Sequence, residues 1–386
     1  MSQLNITKND ANSSKIYYDI QVTNVENSST IPPILYFNES RNIPFINVPE
    51  DYYMSIIRFT LDTQTLPIFI PTINTNPITN PTQNLNQTIY SFQFSYGAFN
   101  SGEIFIEWSP QNTFLTAPPF ITGGNLAVQD ITTGYYDCYT FEFFINLINQ
   151  QMETAFNTFK ASVIGFPADA VSPIIAWDGS QNIARLILEK SFLNSNATPI
   201  FLFFNNPLYN LFGSFNTIRN GYTVTNGKNF QILVIDYGGF NSYQLTDFIT
   251  GVTYDVIEVI QEYSTISAWS PISSIVFTSN TMPIVANQLS KPTVFVEGAS
   301  LGNYGNNSNF QQIITDLVTD TGFYKPSITY NPTAQYRYIS MNGNSPLTNI
   351  DVAVFFKTRI GQLVPFRLNS GGTCTIKILF TKKDSI

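Results

Sequence analysis

Apolar and polar residues alternate along much of this 386-residue chain, and this alternation is the strongest constraint on its fold. Successive side chains of a β-strand point to opposite faces, so a period of two places apolar groups on one face of a sheet. The turns between these stretches are rich in Pro, Gly and Asn, which favours a sandwich or jelly roll over βαβ units. The alternating apolar sets include Ile16, Tyr18, Ile20 and Val22; Phe92, Phe94 and Tyr96; Ile350, Val352, Val354 and Phe356; and Cys374, Ile376, Ile378 and Phe380.

Two segments depart from the strand period. Between Thr140 and Phe159 apolar residues recur at i, i+3, i+4 and i+7, which predicts an amphipathic helix packed across a sheet. A weaker second helix is predicted around Ile313 to Val318. The residues that these patterns place inside are Phe144, Ile148 and Phe156 on the helix and the four apolar residues from Ile350 to Phe356; those placed outside are Glu142, Asn149, Glu153, Asp351 and Lys357.

Two stretches are predicted to be loops. Residues 71–87 are rich in Pro and Asn, and Pro cannot donate a hydrogen bond to a strand ladder. Residues 298–309 are rich in Gly and Asn. A strand-dense block lies between them and ends near Asp247.

Charged residues make up only 11% of the chain, while 43% are apolar, so neither a disordered chain nor a helix-rich enzyme is expected. The net charge of −8 argues against a protein that grips nucleic acid, which needs a basic surface. The two cysteines, Cys138 and Cys374, are too far apart in sequence for a CxxC metal site and too few for a disulfide framework. No apolar run reaches the roughly 18 residues of a membrane-spanning helix. The start of the chain does not resemble a signal peptide, which favours synthesis in a reducing cytoplasm.

Few residues invite a catalytic interpretation. The spacing Gly298-Ala-Ser300-Leu-Gly302 matches a nucleophile motif, but the chain contains no histidine to act as its base. Asp316 and Asp320 carry oxygen ligands that suit Ca²⁺, yet their neighbours do not form a ligand loop. Glu103 and Glu107 would lie roughly 13 Å apart on one strand, which is too far for a pair of glycosidase carboxylates. We therefore predict no catalytic, cofactor-binding or metal-binding residue and no enzymatic activity.

The order of several segments resembles that of the penton (minor capsid) proteins of Polinton-like viruses and virophages. The last of these segments are the most specific. The segments that carry the resemblance are 51–61 (DYYMSIIRFTL) with the Pro-containing turn at 67–71, 134–149 (GYYDCYTFEFFINLIN), 207–215 (PLYNLFGSF), 273–283 (SSIVFTSNTMP), 346–354 (PLTNIDVAV), 361–366 (GQLVPF) and 375–380 (TIKILF).

The resemblance implies a structural capsid protein, five copies of which close each icosahedral vertex against the major capsid protein. The expected fold is an all-β jelly-roll sandwich with an inserted β-rich subdomain and one amphipathic helix. The expected domains are 1-130 and 251-386 as the two halves of the jelly roll and 131-250 as the insertion. The expected partners are other copies of the chain and the major capsid protein, in a virion assembled from protein made in the host cytoplasm, with no cofactor and no specific nucleic acid binding.

Three alternatives stay open on sequence grounds. A double jelly roll would make the chain a trimeric major capsid protein. A carbohydrate-binding or attachment sandwich would act through exposed aromatic residues. A hydrolase that uses only carboxylates is the least favoured, because the chain lacks histidine.

Overall fold

The computed structural model describes residues 14–26, 32–75, 84–123, 126–221, 226–247, 249–285, 293–297, 300–304, 312–318, 326–330 and 337–385. The chain forms two compact units. Unit 1 comprises Met1–Leu66 and Ile272–Ile386, and unit 2 comprises Pro67–Pro271. The chain therefore leaves unit 1 once and returns to it once.

The first stretch of unit 1 contains β1 (Lys15–Thr23), β2 (Tyr36–Ser40), a 3-10 turn (Pro49–Asp51) and β3 (Tyr52–Asp62). Unit 2 contains β4 (Gln87–Tyr96), β5 (Phe99–Asn100), β6 (Ile104–Glu107), β7 (Ile121–Gly123), β8 (Leu126–Val128), α1 (Phe141–Ser162), β9 (Ile174–Asp178), β10 (Ile183–Glu189), a 3-10 turn (Lys190–Phe192), β11 (Ile200–Phe204), α2 (Asn206–Leu211), β12 (Thr217–Arg219), β13 (Phe230–Ile232), β14 (Ser242–Thr246), β15 (Thr253–Ile260) and α3 (Ile266–Trp269). The return to unit 1 contains β16 (Ile272–Ser279), β17 (Thr293–Glu297), β18 (Ser300–Tyr304), β19 (Gln312–Leu317), β20 (Ser327–Tyr330), β21 (Ile339–Ser340), β22 (Asn349–Thr358), β23 (Leu363–Pro365), β24 (Thr373–Lys382) and a 3-10 turn (Lys383–Ser385).

Unit 1 has the strand order of a jelly roll. One antiparallel sheet runs β1-β24-β3-β20, with β21 also beside β3, and the other runs β19-β16-β22-β2, with β23 also beside β22. If the eight strands on the two paths are numbered in chain order, the sheets read 1-8-3-6 and 5-4-7-2, as two wrapped Greek keys require. Unit 2 enters the chain between the third and the fourth of these strands. The predicted jelly-roll class is confirmed.

The two ends of the chain build this sandwich together. β1 pairs with β24 from Lys15↔Thr381 to Thr23↔Thr373, and β24 pairs on its other side with β3. β2 pairs with β22 in the second sheet. The sheets face each other through aromatic rings such as Phe59 of β3 and Phe277 of β16, whose centroids lie 5.0 Å apart. The predicted pairing of the first and last strands is therefore confirmed.

The alternation in β22 produces the expected inner face, but its outer face differs from the prediction. Ile350, Val352, Val354 and Phe356 are all buried. Asp351 is also fully buried, so the prediction that it faces solvent is wrong. The turn after β16 covers this carboxylate with hydrogen-bond donors. Lys357 is half-buried.

Unit 2 contains two larger antiparallel sheets, the two-stranded sheet of β7 and β8, and the long helix α1. One sheet runs β14-β15-β10-β9 and the other β12-β13-β11-β4-β5, with β6 also beside β4. Strands that follow each other in the chain pair as hairpins, as in β9–β10, β12–β13 and β14–β15. The described strands of unit 2 therefore lack the jelly-roll order, and the chain is not a double jelly roll in the part that the structure describes.

Helix α1 fills the core of unit 2 as its apolar stripe predicts. Phe144, Ile148 and Phe156 are fully buried, and Phe156 packs against Phe94 of β4 with 5.3 Å between ring centroids. Glu142 and Glu153 are exposed, as predicted. Asn149 is half-buried, against prediction, because its amide pairs with the backbone N–H and C=O of Ile175 in β9, each at 2.8 Å.

Two local predictions fail, and both fail towards strand. The segment from Ile313 to Val318 was predicted to be a helix, but Gln312–Leu317 is strand β19, paired with β16. Its apolar residues are too few to distinguish the period of a helix from that of a strand, so pairing with β16 determines its structure. Within the predicted loop 298–309, residues 300–304 form strand β18 against β17, and the other residues lie outside the described part. In the predicted loop 71–87, the described residues 71–75 and 84–86 are non-strand apart from a bridge at Ile73.

The compact units have different bounds from the predicted domains. β4 pairs with β11 and β10 pairs with β15, so residues on both sides of 131-250 belong to unit 2. Side-chain spacing along one strand carries no information on which distant strand it joins. The roles predicted for the three segments stay predictions.

Candidate assembly surfaces

The acidic residues that were considered for chemistry are tied into the fold by hydrogen bonds. Glu103 accepts one from Ser91 Oγ at 2.5 Å, and Glu107 accepts one from Asn84 Nδ2 at 3.1 Å. Asp316 lies on β19 and pairs with Arg337 at 2.7 Å. Asp320 lies outside the described residues.

The nucleophile-like motif sits in the wrong local structure. Ser300 opens β18, opposite Glu297 in a two-stranded hairpin. A nucleophile elbow instead places its serine on a sharp turn from a strand into a helix. The thiols are no better suited, because burial raises the pKa of both Cys138 and Cys374 to about 12, so neither is ionised at neutral pH. The predicted lack of catalytic, cofactor and metal residues stays a prediction.

The edge of the unit 1 sandwich where β1 and β2 meet is closed by a polar and aromatic cluster. Tyr18 of β1 donates its hydroxyl to Glu39 of β2, and Arg41 Nε lies 2.5 Å from the same carboxylate. The Arg41 guanidinium also stands over the rings of Tyr18 and Phe45, at 5.6 and 4.7 Å from their centroids. We call this the β1/β2 edge. Its cluster joins a strand of one sheet to a strand of the other.

Protonation equilibria in this cluster favour the paired form. Partial burial and the hydrogen bond to Glu39 raise the pKa of Tyr18 to about 12. Hydrogen bonds from Tyr18 and Arg41 lower the pKa of Glu39. Tyr18 is therefore neutral and Glu39 is charged across the neutral pH range. The Tyr18 hydroxyl thus remains a donor and the Glu39 carboxylate remains an acceptor.

Large apolar side chains are exposed on β1, on β2 and in the segments that flank β2. Ile43 is 72% exposed and Tyr36 47%, and Tyr17 and Ile34 are about as exposed as Tyr36. Exposed apolar groups that cluster on one part of a surface commonly mark a protein contact. β1 and β2 are also the end strands of their sheets, so each has one side without a partner strand among the described residues.

A second exposed apolar set lies in unit 2 and follows the chain from Tyr237 to Val252. Phe240 is 95% and Ile249 94% exposed, and both ends of the stretch are also exposed. The turn that carries Ile249 is held by Asp247, whose carboxylate accepts the N–H groups of Ile249 and Thr250 at 2.7 and 2.9 Å. We call this the 237–252 surface. Phe240 precedes β14 and Ile249 follows it, so the two side chains lie at opposite ends of that strand.

Asp351 braces the second sheet of unit 1 from within. Its carboxylate accepts hydrogen bonds from Ser279 Oγ, from Thr281 Oγ1 at 2.5 Å and from the N–H groups of Asn280 and Thr281 at 2.8 and 3.1 Å. Burial alone raises the pKa of this carboxyl, but the hydrogen bonds outweigh burial and hold its pKa below the ordinary value. The run Ser-Asn-Thr after a strand was the available sequence signal, but its partner is about 70 residues away.

Comparison with known proteins identifies the family. The family model of the Sputnik minor capsid protein V18/19 matches residues 16–382. The chain belongs to this family. Among Sputnik virophage proteins it is 28% identical to "Structural protein V19" over 211 residues, which is 54% of this chain and 93% of V19. It is 32% identical to "Uncharacterized protein V18" over 148 residues, which is 38% of this chain and 86% of V18.

Solved structures agree with the family assignment. A chain of the Sputnik virophage structure determined by cryo-EM at 3.5 Å resolution matches with a TM-score of 0.79 and 27% identity, covering 97% of this chain and 99% of that one. The mavirus penton protein matches in fold, with a TM-score of 0.60 and 13% identity over 96% of this chain and 99% of its own.

Membership in this minor capsid family confirms the resemblance found in the sequence. The chain is a structural capsid protein of the virophage type, and its place is in the virion. Within the described residues, none of the helices combines the length and apolarity needed to cross a membrane.

Proposed function

We propose that this minor capsid protein is a penton subunit, and that five copies form a closed ring at each vertex of an icosahedral shell. The observation that carries the proposal is the single jelly roll built from both ends of the chain, in a member of a minor capsid family. The likeness in fold to a protein named as a mavirus penton supports it.

The β1/β2 edge is proposed as the contact between copies. A fivefold ring needs a heterologous contact, in which one surface of a subunit meets a different surface of the next and the rotation closes. Tyr36 and Ile43 supply apolar anchors, and the Tyr18–Glu39–Arg41 cluster holds the two end strands at a fixed spacing. A contact of this kind buries apolar side chains inside a polar rim.

The 237–252 surface is proposed as the contact with the major capsid protein of the same virion. Phe240 and Ile249 are almost fully exposed, in the turns before and after β14, and exposed aromatic and aliphatic groups serve as hot spots when a partner buries them. The proposal thus gives each unit one partner.

The remaining parts of the proposal concern chemistry and origin. The protein acts without catalysis, without cofactor or metal and without specific nucleic acid binding, and it is made in the host cytoplasm. The absence of histidine from the sequence and its net charge of −8 support the first three statements. The reducing cytoplasm suits two cysteines that are both buried as free thiols.

Two substitutions test the two contacts separately. Ile43→Asp should abolish closed rings in negative-stain electron microscopy of the full chain, and should leave binding of the single subunit to the major capsid protein unchanged. Phe240→Asp should leave the rings intact and weaken that binding at least tenfold. Ile164→Asp is the matched control, because Ile164 is 97% exposed and belongs to neither surface.

The free energy of unfolding of each of the three variants should lie within about 0.5 kcal/mol of the wild-type value, because each substitution changes an exposed residue. Closed rings that persist in Ile43→Asp would refute the β1/β2 contact. Unchanged binding by Phe240→Asp would refute the 237–252 contact. Wild-type rings of three subunits would refute the penton assignment itself.

A further inference from the structure

Unit 2 contains an open groove beside helix α1, with a volume of about 640 Å³. One wall is the polar side of α1, and the facing wall is formed by the segment 170–174 and the sheet β14-β15-β10-β9. Binding sites for small molecules have volumes of roughly 300 to 1,000 Å³, so the groove is large enough for a ligand of several rings.

The helix wall is a regular row of amide and carboxylate groups. Asn146, Gln150, Glu153 and Asn157 follow the i, i+4, i+7, i+11 spacing of one helix face, and all four are exposed. With a rise of about 1.5 Å per residue the row is about 16 Å long, which suits an elongated ligand. Among the described residues, the three amide side chains of this row have no hydrogen-bond partner. Each amide can both donate and accept.

The facing wall and floor supply apolar area. Ile174 of β9 is 47% and Leu245 of β14 37% exposed, and the half-buried Tyr254 of β15, which pairs with Leu245, also lines the groove. The groove therefore places apolar side chains of the sheet opposite a row of side chains that can form hydrogen bonds. The C–H faces of a sugar ring pack on apolar and aromatic side chains, while its hydroxyls need partners that donate and accept.

The charges of the groove select against anionic ligands. Its carboxylates are Glu153, Glu189 and Asp247, and hydrogen bonds from the N–H groups of Thr250 and Ile249 lower the pKa of Asp247, so it is ionised at neutral pH. Among the described residues that line the groove, the one cation is Lys160, whose ammonium already donates to the carbonyls of Ala168 and Ala170 at 2.7 and 2.8 Å. A phosphate, a sulfate or a sialic acid would meet like charge without a counter-ion.

We propose that this groove binds a stretch of neutral saccharide. The amide row of α1 forms hydrogen bonds with its hydroxyls, and Ile174, Leu245 and Tyr254 contact its apolar faces. The proposal does not depend on the oligomeric state of the protein. It adds a ligand-binding function to a structural subunit and uses unit 2, not the jelly roll of unit 1.

The test is binding of the full-length protein to an array of neutral, sialylated and sulfated glycans, followed by titration of the best neutral glycan. The double variant Asn146→Ala/Asn157→Ala removes two amide groups that line this groove and not the neighbouring one, so affinity should fall about 5- to 150-fold. Thr158→Ala is the matched control, because Thr158 is exposed on the same helix but lines a different groove. It should bind like the wild type.

The proposal is overturned if the wild type binds no neutral glycan, if it prefers sialylated or sulfated glycans, or if the double variant and the wild type bind with equal affinity. If the double variant instead loses affinity for the major capsid protein, the groove is a protein contact and the proposal also fails. Ring formation is scored in the same samples, so a failure here is separate from a failure of the penton assignment.

Discussion

Substitution of Phe156 by Ala tests whether α1 is the core of unit 2. The Phe156 ring is fully buried, and it contacts the rings of Phe94, Phe166 and Phe192 at centroid distances of 5.3, 5.5 and 5.9 Å. Truncation of a buried Phe costs roughly 3 to 5 kcal/mol, and each aromatic pair contributes about 0.5 to 1.5 kcal/mol beyond area burial. Three lost pairs favour the upper half of this range, so we expect a loss of about 4 kcal/mol in the free energy of unfolding.

Tryptophan fluorescence provides an assay that reports on unit 2 alone. The chain has three tryptophans, and all of them, Trp108, Trp177 and Trp269, belong to unit 2. A domain of 150 to 250 residues loses roughly 2 to 4 °C in Tm per kcal/mol, so the fluorescence transition should fall by about 8 to 16 °C. Phe114→Ala is the control, because Phe114 is 80% exposed. Its free energy of unfolding should lie within about 0.5 kcal/mol of the wild-type value. If the Tm of Phe156→Ala decreases by less than about 3 °C, α1 does not pack as described.

Three further changes probe unit 1. Val354→Asp places a carboxylate at a fully buried position without a partner, which costs several kcal/mol, so the cooperative transition seen by circular dichroism should be lost; an unchanged transition would contradict the register of β22. Asp351→Asn should cost about 1.5 to 3 kcal/mol at pH 7. The folded-state pKa of Asp351 is lowered, so its carboxylate stabilises the fold above about pH 4, and this stabilisation is lost as the pH falls below that value. Urea titrations should therefore show this loss of stability at acidic pH in the wild type and not in Asp351→Asn. Deletion of Gly371–Ile386 removes β24, which lies between β1 and β3, and should prevent ring formation; closed rings of the truncated chain in electron microscopy would contradict the topology.

The sequence predicts those parts of the fold that depend on local periodicity. The alternation from Ile350 to Phe356 and the stripe from Phe144 to Phe156 identify the buried faces, because a strand and a long helix differ clearly in period. The short segment at Gln312–Leu317 was misassigned, since six residues satisfy both periods and pairing with β16 decides between them.

Contacts between distant residues were beyond sequence reasoning. Asp351 occupies an outward position in the alternation, and only the folded turn at Ser279–Thr281 shows that donors cover it. Asn149 lies on the polar side of its helix, yet it pairs with Ile175 of a neighbouring strand. The Tyr18–Glu39–Arg41 cluster and the amide groove of unit 2 likewise combine residues that no local pattern brings together, whereas the terminal motifs did reveal the capsid family.

Native mass spectrometry of the purified full chain, alone and then with the major capsid protein, tests the penton assignment most directly. The assignment predicts a discrete species at five times the 43.4 kDa chain mass, and larger complexes that contain whole pentamers once the major capsid protein is added. A chain that assembles only as trimers, or that stays monomeric with the major capsid protein present, would contradict it.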